Sequence, residues 1–172
     1  CIRDSFIIHA RKAWLSGLSP KDNREIPPLN YQRVYKLKET FPELEIIING
    51  GIKTIRESSK HLEYVDGVML GREAYDNPFI LTKVDNEIFS DAENPIRRTD
   101  ILYRLLPYIK SEIDKGTKIS HITKHLMGLF KGFDGAKNIR KYLVSLSNEV
   151  HPIDKYKNFL SEIAIWLTKL KI

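Results

Sequence analysis

Apolar residues in this chain first gather in short runs and later fall at helical spacing, and the change comes after a polar stretch at Ser90–Pro95. Ser5-Phe6-Ile7-Ile8-His9 reads as a buried strand that ends on a polar residue. Ile46-Ile47-Ile48-Asn49 and Val68-Met69-Leu70 read the same way. Between them, Tyr31, Val34, Leu37 and Phe41 keep helical spacing, with Asn30 as a cap and Pro42 as a stop. Thr54-Ile55-Arg56-Glu57 is a capping-box pattern that opens a helix to about Leu62. A further helix is predicted over Pro78 to Phe89. The first part is therefore β-α-β-α-β-α, the signature of a parallel sheet with right-handed crossovers.

Beyond the polar stretch the pattern is wholly helical. Ile101, Leu102, Leu105, Ile109 and Ile113 form one stripe, with Pro107 expected to kink it. Ile122, Leu126, Leu129 and Phe130 form a second, and Ile139, Leu143 and Leu146 a third. Phe159, Leu160, Ile163, Trp166, Leu167 and Leu170 form a fourth. Gly116, Gly132, Gly135 and Pro152 separate them, as in a four-helix bundle. The predicted division is residues 1–92 for the α/β part and 97–172 for the helices.

Length limits the first part. A chain of 172 residues is too short for a complete (β/α)8 barrel, which needs about 250. Three strands cannot close a barrel. The chain also opens on Cys1, with its first strand following at once, so it reads as the C-terminal part of a longer protein. No apolar run reaches the roughly 18 residues of a membrane span. One cysteine forms no internal disulfide and no cysteine cluster holds zinc, so a reducing cytoplasm is the expected compartment. Net charge is +6, and it is uneven: residues from Arg97 onward carry about +8 and those before about −2. A basic helical half points to a polyanion such as RNA.

The strand ends carry the candidate chemistry. Asn49-Gly50-Gly51 and Gly71-Arg72 each close a strand, one strand–helix–strand unit apart. Glycines allow close backbone approach, a helix start offers N–H groups to anions, and a guanidinium binds phosphate as a fork. Paired strand ends of this kind form the phosphate site of the last strands of a (β/α)8 barrel; a lone Gly-Gly would be a tight turn. His9 also sits at a strand end, where ligand crevices of parallel sheets open. The long loop from Arg11 to Pro28 is basic through Arg11, Lys12, Lys21 and Arg24 and holds Trp14, so it could grip phosphates and stack a base. In the helical half, Lys124, Lys131, Lys137, Arg140 and Lys141 cluster around the Gly132–Gly135 turn. His121 and His125 lie four apart, but two histidines without a third ligand make no zinc site; they read as surface residues. Nothing near Cys1 activates it as a nucleophile.

Longer stretches are more specific. His9-Ala10-Arg11-Lys12-Ala13-Trp14-Leu15, Leu18-Ser19-Pro20-Lys21 and Asn23-Arg24-Glu25-Ile26-Pro27-Pro28-Leu29 closely resemble the tRNA-dihydrouridine synthases, the A-type branch most of all. Ile48-Asn49-Gly50-Gly51-Ile52, the run from Val65 to Tyr75, Leu129-Phe130-Lys131-Gly132 and Arg140-Lys141-Tyr142-Leu143 match the same branch. The likeness covers nearly the whole chain and fades after about Leu146. It implies an FMN-dependent (β/α)8 barrel followed by a helical tRNA-binding domain. Reduced FMN, recharged by NADPH, would deliver hydride to a D-loop uridine of tRNA. His9 corresponds to the histidine at the flavin. Asn49, Gly50, Gly51, Gly71 and Arg72 correspond to the FMN phosphate site. Arg24 corresponds to an arginine near the target uracil, and Lys21 to a neighbouring position facing tRNA, with Arg11 in the same basic loop. Lys131, Arg140 and Lys141 are tRNA candidates chiefly by charge. The family's catalytic cysteine and flavin-contacting lysine lie upstream, in the missing N-terminal half of the barrel, so no catalytic residue falls here and the isolated chain is expected to be inactive.

Two other readings stand beside it. One is a different phosphate-binding flavin barrel acting on a small molecule, which would have no use for the basic helical part. The other is a non-catalytic RNA-binding remnant of such an enzyme.

Overall fold

The computed structural model describes residues 4–91, 96–146 and 152–169. Cys1, Leu170, linker residues 92–95 and the side chains of Phe159, Ile163, Trp166 and Leu167 lie outside what is described. Two compact units emerge: Cys1–Ala74 with Lys83–Ala92, and Tyr75–Thr82 with Glu93–Ile172.

The first unit is α/β, built on a small parallel sheet. Strands β1 (Ser5–His9), β2 (Glu45–Asn49) and β3 (Gly67–Met69) lie in sequential order. His9 pairs with Asn49 and Asn49 with Met69, so the three carboxyl ends are level. Helix α1 (Tyr31–Thr40) begins at Asn30, whose side chain accepts from the Arg33 N–H. Helix α2 (Ile55–Leu62) opens on the full Thr54–Glu57 capping box. Period-two alternation turns Ile46 and Ile48 into a core with Val34, Tyr35, Ile52 and Val65. The opposite face carries Ile7, His9, Ile47, Asn49 and Met69 and is only partly covered; Ile7 is 52% exposed. Asp66 braces the start of the sheet by accepting the Ile46 N–H at 2.8 Å and the Lys38 ammonium at 2.8 Å.

The continuous helix expected over Pro78–Phe89 is broken. The chain forms α3 (Arg72–Asp76), a 3-10 stretch at Pro78–Lys83 and one-turn α4 (Val84–Glu87). Packing gives the reason. The Arg98 guanidinium sits 3.7 Å from the centre of the Phe79 ring and donates to the Leu129 carbonyl at 2.9 Å, which draws Tyr75–Thr82 into the second unit.

That second unit contains α5 (Arg98–Asp114), α6 (Ile119–Thr123) with a 3-10 continuation over Lys124–Phe130, α7 (Ala136–Ser145) and α8 (Pro152–Lys169). Helix α5 runs on through Pro107. The stripes meet in one core of Leu102, Ile109, Ile122, Leu129, Phe130, Ile139, Leu143, Leu146, Tyr156 and Leu160. The second stripe changes to the tighter 3-10 form around Gly128. There an added Cβ would lie 2.7 Å from the Tyr75 carbonyl oxygen and 2.8 Å from that of Asp76, so this turn packs directly on backbone.

Candidate functional site

Three strand ends and one loop build the site in the first unit. The loop leaves β1 at Ala10 and returns to it: Arg11 bridges Leu29 antiparallel, and the Asn30 N–H donates to the Ala10 carbonyl at 2.7 Å. Its stem is therefore closed. Arg11 then acts from inside, its guanidinium donating to the carbonyls of Glu25 and Pro27. The Arg11 Nε is buried without a partner among the described residues, an arrangement that leaves one donor of a cation unspent.

The loop's returning limb reaches the end of β3. Glu25 accepts from the Arg72 guanidinium at 2.7 Å, with both side chains largely exposed. His9 stands among these cations. Partial burial of its ring, then Arg11, Arg72 and Arg24, hold its pKa below the ordinary imidazole value. The imidazole is thus neutral near pH 7, with one nitrogen to donate and one to accept. Sequence reasoning singled out His9, Arg11, Arg24 and Arg72 separately, and the fold brings them together.

Gly50 and Gly51 have φ of +121° and +73°, backbone that other residues rarely adopt. Their missing side chains make room for neighbours of the same unit. A Cβ at Gly50 would lie 3.1 Å from Leu29 and 3.3 Å from the His9 ring, and one at Gly51 would lie 2.6 Å from Leu29. The Tyr31 hydroxyl adds a hydrogen bond to the Gly50 carbonyl at 2.9 Å. At Gly71, by contrast, nothing lies within 4 Å of an added Cβ. Backbone is therefore exposed at Gly51 and at Gly71-Arg72, while Gly50 is buried under Leu29 and the His9 ring.

The start of α2 is also occupied. One Glu57 carboxylate oxygen accepts the N–H groups of both Lys53 and Thr54, at 2.9 and 3.1 Å. These amides hold the Glu57 carboxyl below its usual range. The N–H groups that this helix start would offer to an anion are thus met internally. Asn49 lies on the partly covered face with its amide donating to the Met69 sulfur at 3.2 Å.

Lys12, Lys21 and Arg24 are exposed on the loop. In the second unit Lys124, Lys131, Lys137, Arg140 and Lys141 are exposed around the Gly132–Gly135 turn. His125 is exposed, as expected, and its Nδ1 lies 2.9 Å from the Tyr75 hydroxyl, with the two rings edge to face. Glu25, Leu29 and Tyr31 escaped the sequence reading as site residues because their partners are about 20 to 47 positions away and no local pattern marks them. Among the described residues no three metal-ligating side chains gather, and no helix is long and apolar enough to cross a membrane.

The dihydrouridine synthase family model matches residues 3–164. The chain belongs to that family. It is similar to the tRNA-dihydrouridine(20/20a) synthase of Escherichia coli strain K12, at 56% identity over 140 residues, which is 81% of this chain and 41% of that protein. It is also similar to those of Vibrio cholerae, 50% over 141 residues (81% and 43%), and Yersinia pestis, 54% over 138 residues (80% and 40%). The chain spans about two fifths of the length of these relatives.

Proposed function

We propose that this chain is the C-terminal part of an FMN-dependent tRNA-dihydrouridine synthase, cytoplasmic like its substrate. The whole enzyme would reduce a D-loop uridine of tRNA to 5,6-dihydrouridine, with NADPH as reductant. Residues 1–92 would form the phosphate side of the flavin site, and 97–172 the helical tRNA-binding domain.

The observation that carries this reading is the strand end ringed by guanidinium groups: a neutral His9 among Arg11, Arg24 and Arg72, beside open backbone at Gly71. A phosphate dianion fits such a place. Arg72 offers a fork, and Gly71 has no side chain to block approach. Sheet order supports a barrel arc. In a doubly wound fold the strand order reverses and helices flank both faces. Here the order is sequential, and α1 and α2 touch one another through Tyr35 and His61 on one face. The partly covered face with Ile7, His9, Ile47, Asn49 and Met69 would then line the barrel interior.

When bound, FMN would supply the hydride chemistry. This chain's residues would bind and orient. Arg72 would take the phosphate with the backbone of Gly71 and of the Asn49-Gly50-Gly51 turn, and His9 would donate a hydrogen bond from a neutral ring. Arg11, Lys21 and Arg24 would hold tRNA at the loop, and Lys131, Arg140 and Lys141 at the helical unit. The N-terminal half of the barrel would bring the proton donor. Mass-spectrometric mapping of tRNA from cells with and without the gene tests the reading: dihydrouridine should vanish from a D-loop position on deletion, and unchanged D-loops would contradict it.

A further inference from the structure

The loop between β1 and α1 is braced at its stem, at Trp14 and along its returning limb, yet it presents apolar residues to water. Its stem is closed by the Arg11–Leu29 bridge. Its middle is locked by a reciprocal pair: the Trp14 N–H donates to Asn23 Oδ1 at 2.8 Å, and Asn23 Nδ2 donates to the Trp14 carbonyl at 2.9 Å. The far limb is fixed by the 3-10 turn Asp22–Arg24, which Ser19 anchors by donating to the Asp22 carboxylate at 2.7 Å. Gly17, at φ +85°, turns the chain between the two limbs. The result is a shaped tip. On it Leu15 is 100% exposed and Trp14 44% exposed.

Single exposed apolar residues are ordinary. An adjacent leucine and tryptophan beside a hydrogen-bonded anchor differ, because the two Asn23 bonds hold the Trp14 backbone from which they extend. The charges around them select the partner. Lys12, Lys21 and Arg24 are exposed on the same loop, while its two acids are engaged, Asp22 by Ser19 and Glu25 by Arg72, so the apolar pair belongs to a cationic segment. An apolar protein or a lipid interior would have to desolvate these cations. A nucleic acid neutralises them with phosphates and offers base faces to the tip. Enzymes that act on a base draw it from its stack, and leucine is among the residues that fill the gap left between base steps.

We propose that Trp14 and Leu15 form a base wedge: Leu15 enters the stack beside the extruded uridine while Trp14 covers a neighbouring base, and Asn23 is the positioning residue that holds the wedge in shape. This deepens the tRNA reading above and rests on it.

The test uses the full-length protein and a D-arm RNA hairpin with 2-aminopurine next to the target uridine, whose fluorescence rises when it unstacks. Wild type should raise the signal several-fold on binding. Leu15 is fully solvated in this chain; with an unchanged melting temperature as the control for folding, Leu15→Ser should bind with an unchanged salt slope yet lose most of the rise, and its kcat/KM should fall about tenfold. Asn23→Ala should show a smaller loss of the same kind. A full rise with Leu15→Ser, or no rise with wild-type protein that binds the hairpin, overturns the wedge alone. Failure of wild type to bind the hairpin at all overturns the tRNA reading and the wedge with it.

Discussion

The Tyr35 hydroxyl and His61 Nδ1 lie 2.6 Å apart in the buried seam between α1 and α2. Burial raises the Tyr35 pKa, so the phenol keeps its proton. Burial also holds the His61 pKa below 6.5, with Glu57 opposing only in part. With both groups neutral, the hydroxyl and Nδ1 share one hydrogen bond, in which the phenol donates when the ring proton sits on Nε2. Tyr31 meets the same ring edge to face, with centroids 4.5 Å apart, and Tyr64 stacks on Tyr35. Protonating His61 would place a charge in this buried seam and leave both ring nitrogens as donors.

A pH dependence of stability follows from this pair. The unfolded chain takes up the imidazole proton near 6.5, whereas the folded chain resists it until lower pH. The contribution is whole above about 6.5 and declines as the medium is acidified through the window below. Thermal unfolding between pH 8 and 5 should show a falling Tm, and His61→Gln should flatten that fall. An identical acid limb in the variant would show that His61 is not the group responsible.

The glycines divide sharply. Gly50→Ala forces a residue with a Cβ to φ +121° against Leu29 and His9, and should cost about 1–3 kcal/mol. Gly128→Ala drives a Cβ onto the carbonyls of Tyr75 and Asp76, and overpacking of this kind costs about 1–3 kcal/mol. Gly71→Ala meets nothing within 4 Å and should stay within about 0.5 kcal/mol of wild type. Urea midpoints of the three variants give the comparison. A Gly71→Ala loss as large as that at Gly50 would show that the Gly71 backbone is not open.

Much of the first unit is legible in the sequence because its signals are local. Asn30 and Thr54-Glu57 cap helices through bonds that span about three residues, and the apolar runs place each strand to within about one residue. The misread stretch, Pro78–Phe89, is decided by partners from elsewhere: Arg98 captures Phe79, and Gly128 receives the Tyr75–Asp76 backbone. At the site, the residue types are visible but their division of labour is not. A Gly-Gly pair announces unusual φ, yet whether the space belongs to a ligand or to Leu29 depends on how the loop folds back. Glu25, next to Arg24 in the chain, gives no hint of reaching Arg72.

The basic helical unit makes a separate prediction. Removing one phosphate interaction lowers the salt slope of tRNA binding by about 0.7–0.9. Arg140→Ala with Lys141→Ala in the full-length protein should therefore reduce that slope by about 1–2 and weaken binding across tRNA species alike. A slope equal to wild type would place the tRNA interface elsewhere.

The most direct test of the site is an equilibrium titration of full-length protein with FMN and with riboflavin, which lacks the phosphate, for wild type and Arg72→Ala. A charge-assisted hydrogen bond contributes about 1.5–3 kcal/mol. Wild type should thus prefer FMN over riboflavin, and Arg72→Ala should cut that preference by a factor of about 10–100 through weaker FMN binding alone. An FMN-to-riboflavin preference that Arg72→Ala leaves intact would contradict the assignment of this strand end as a phosphate site.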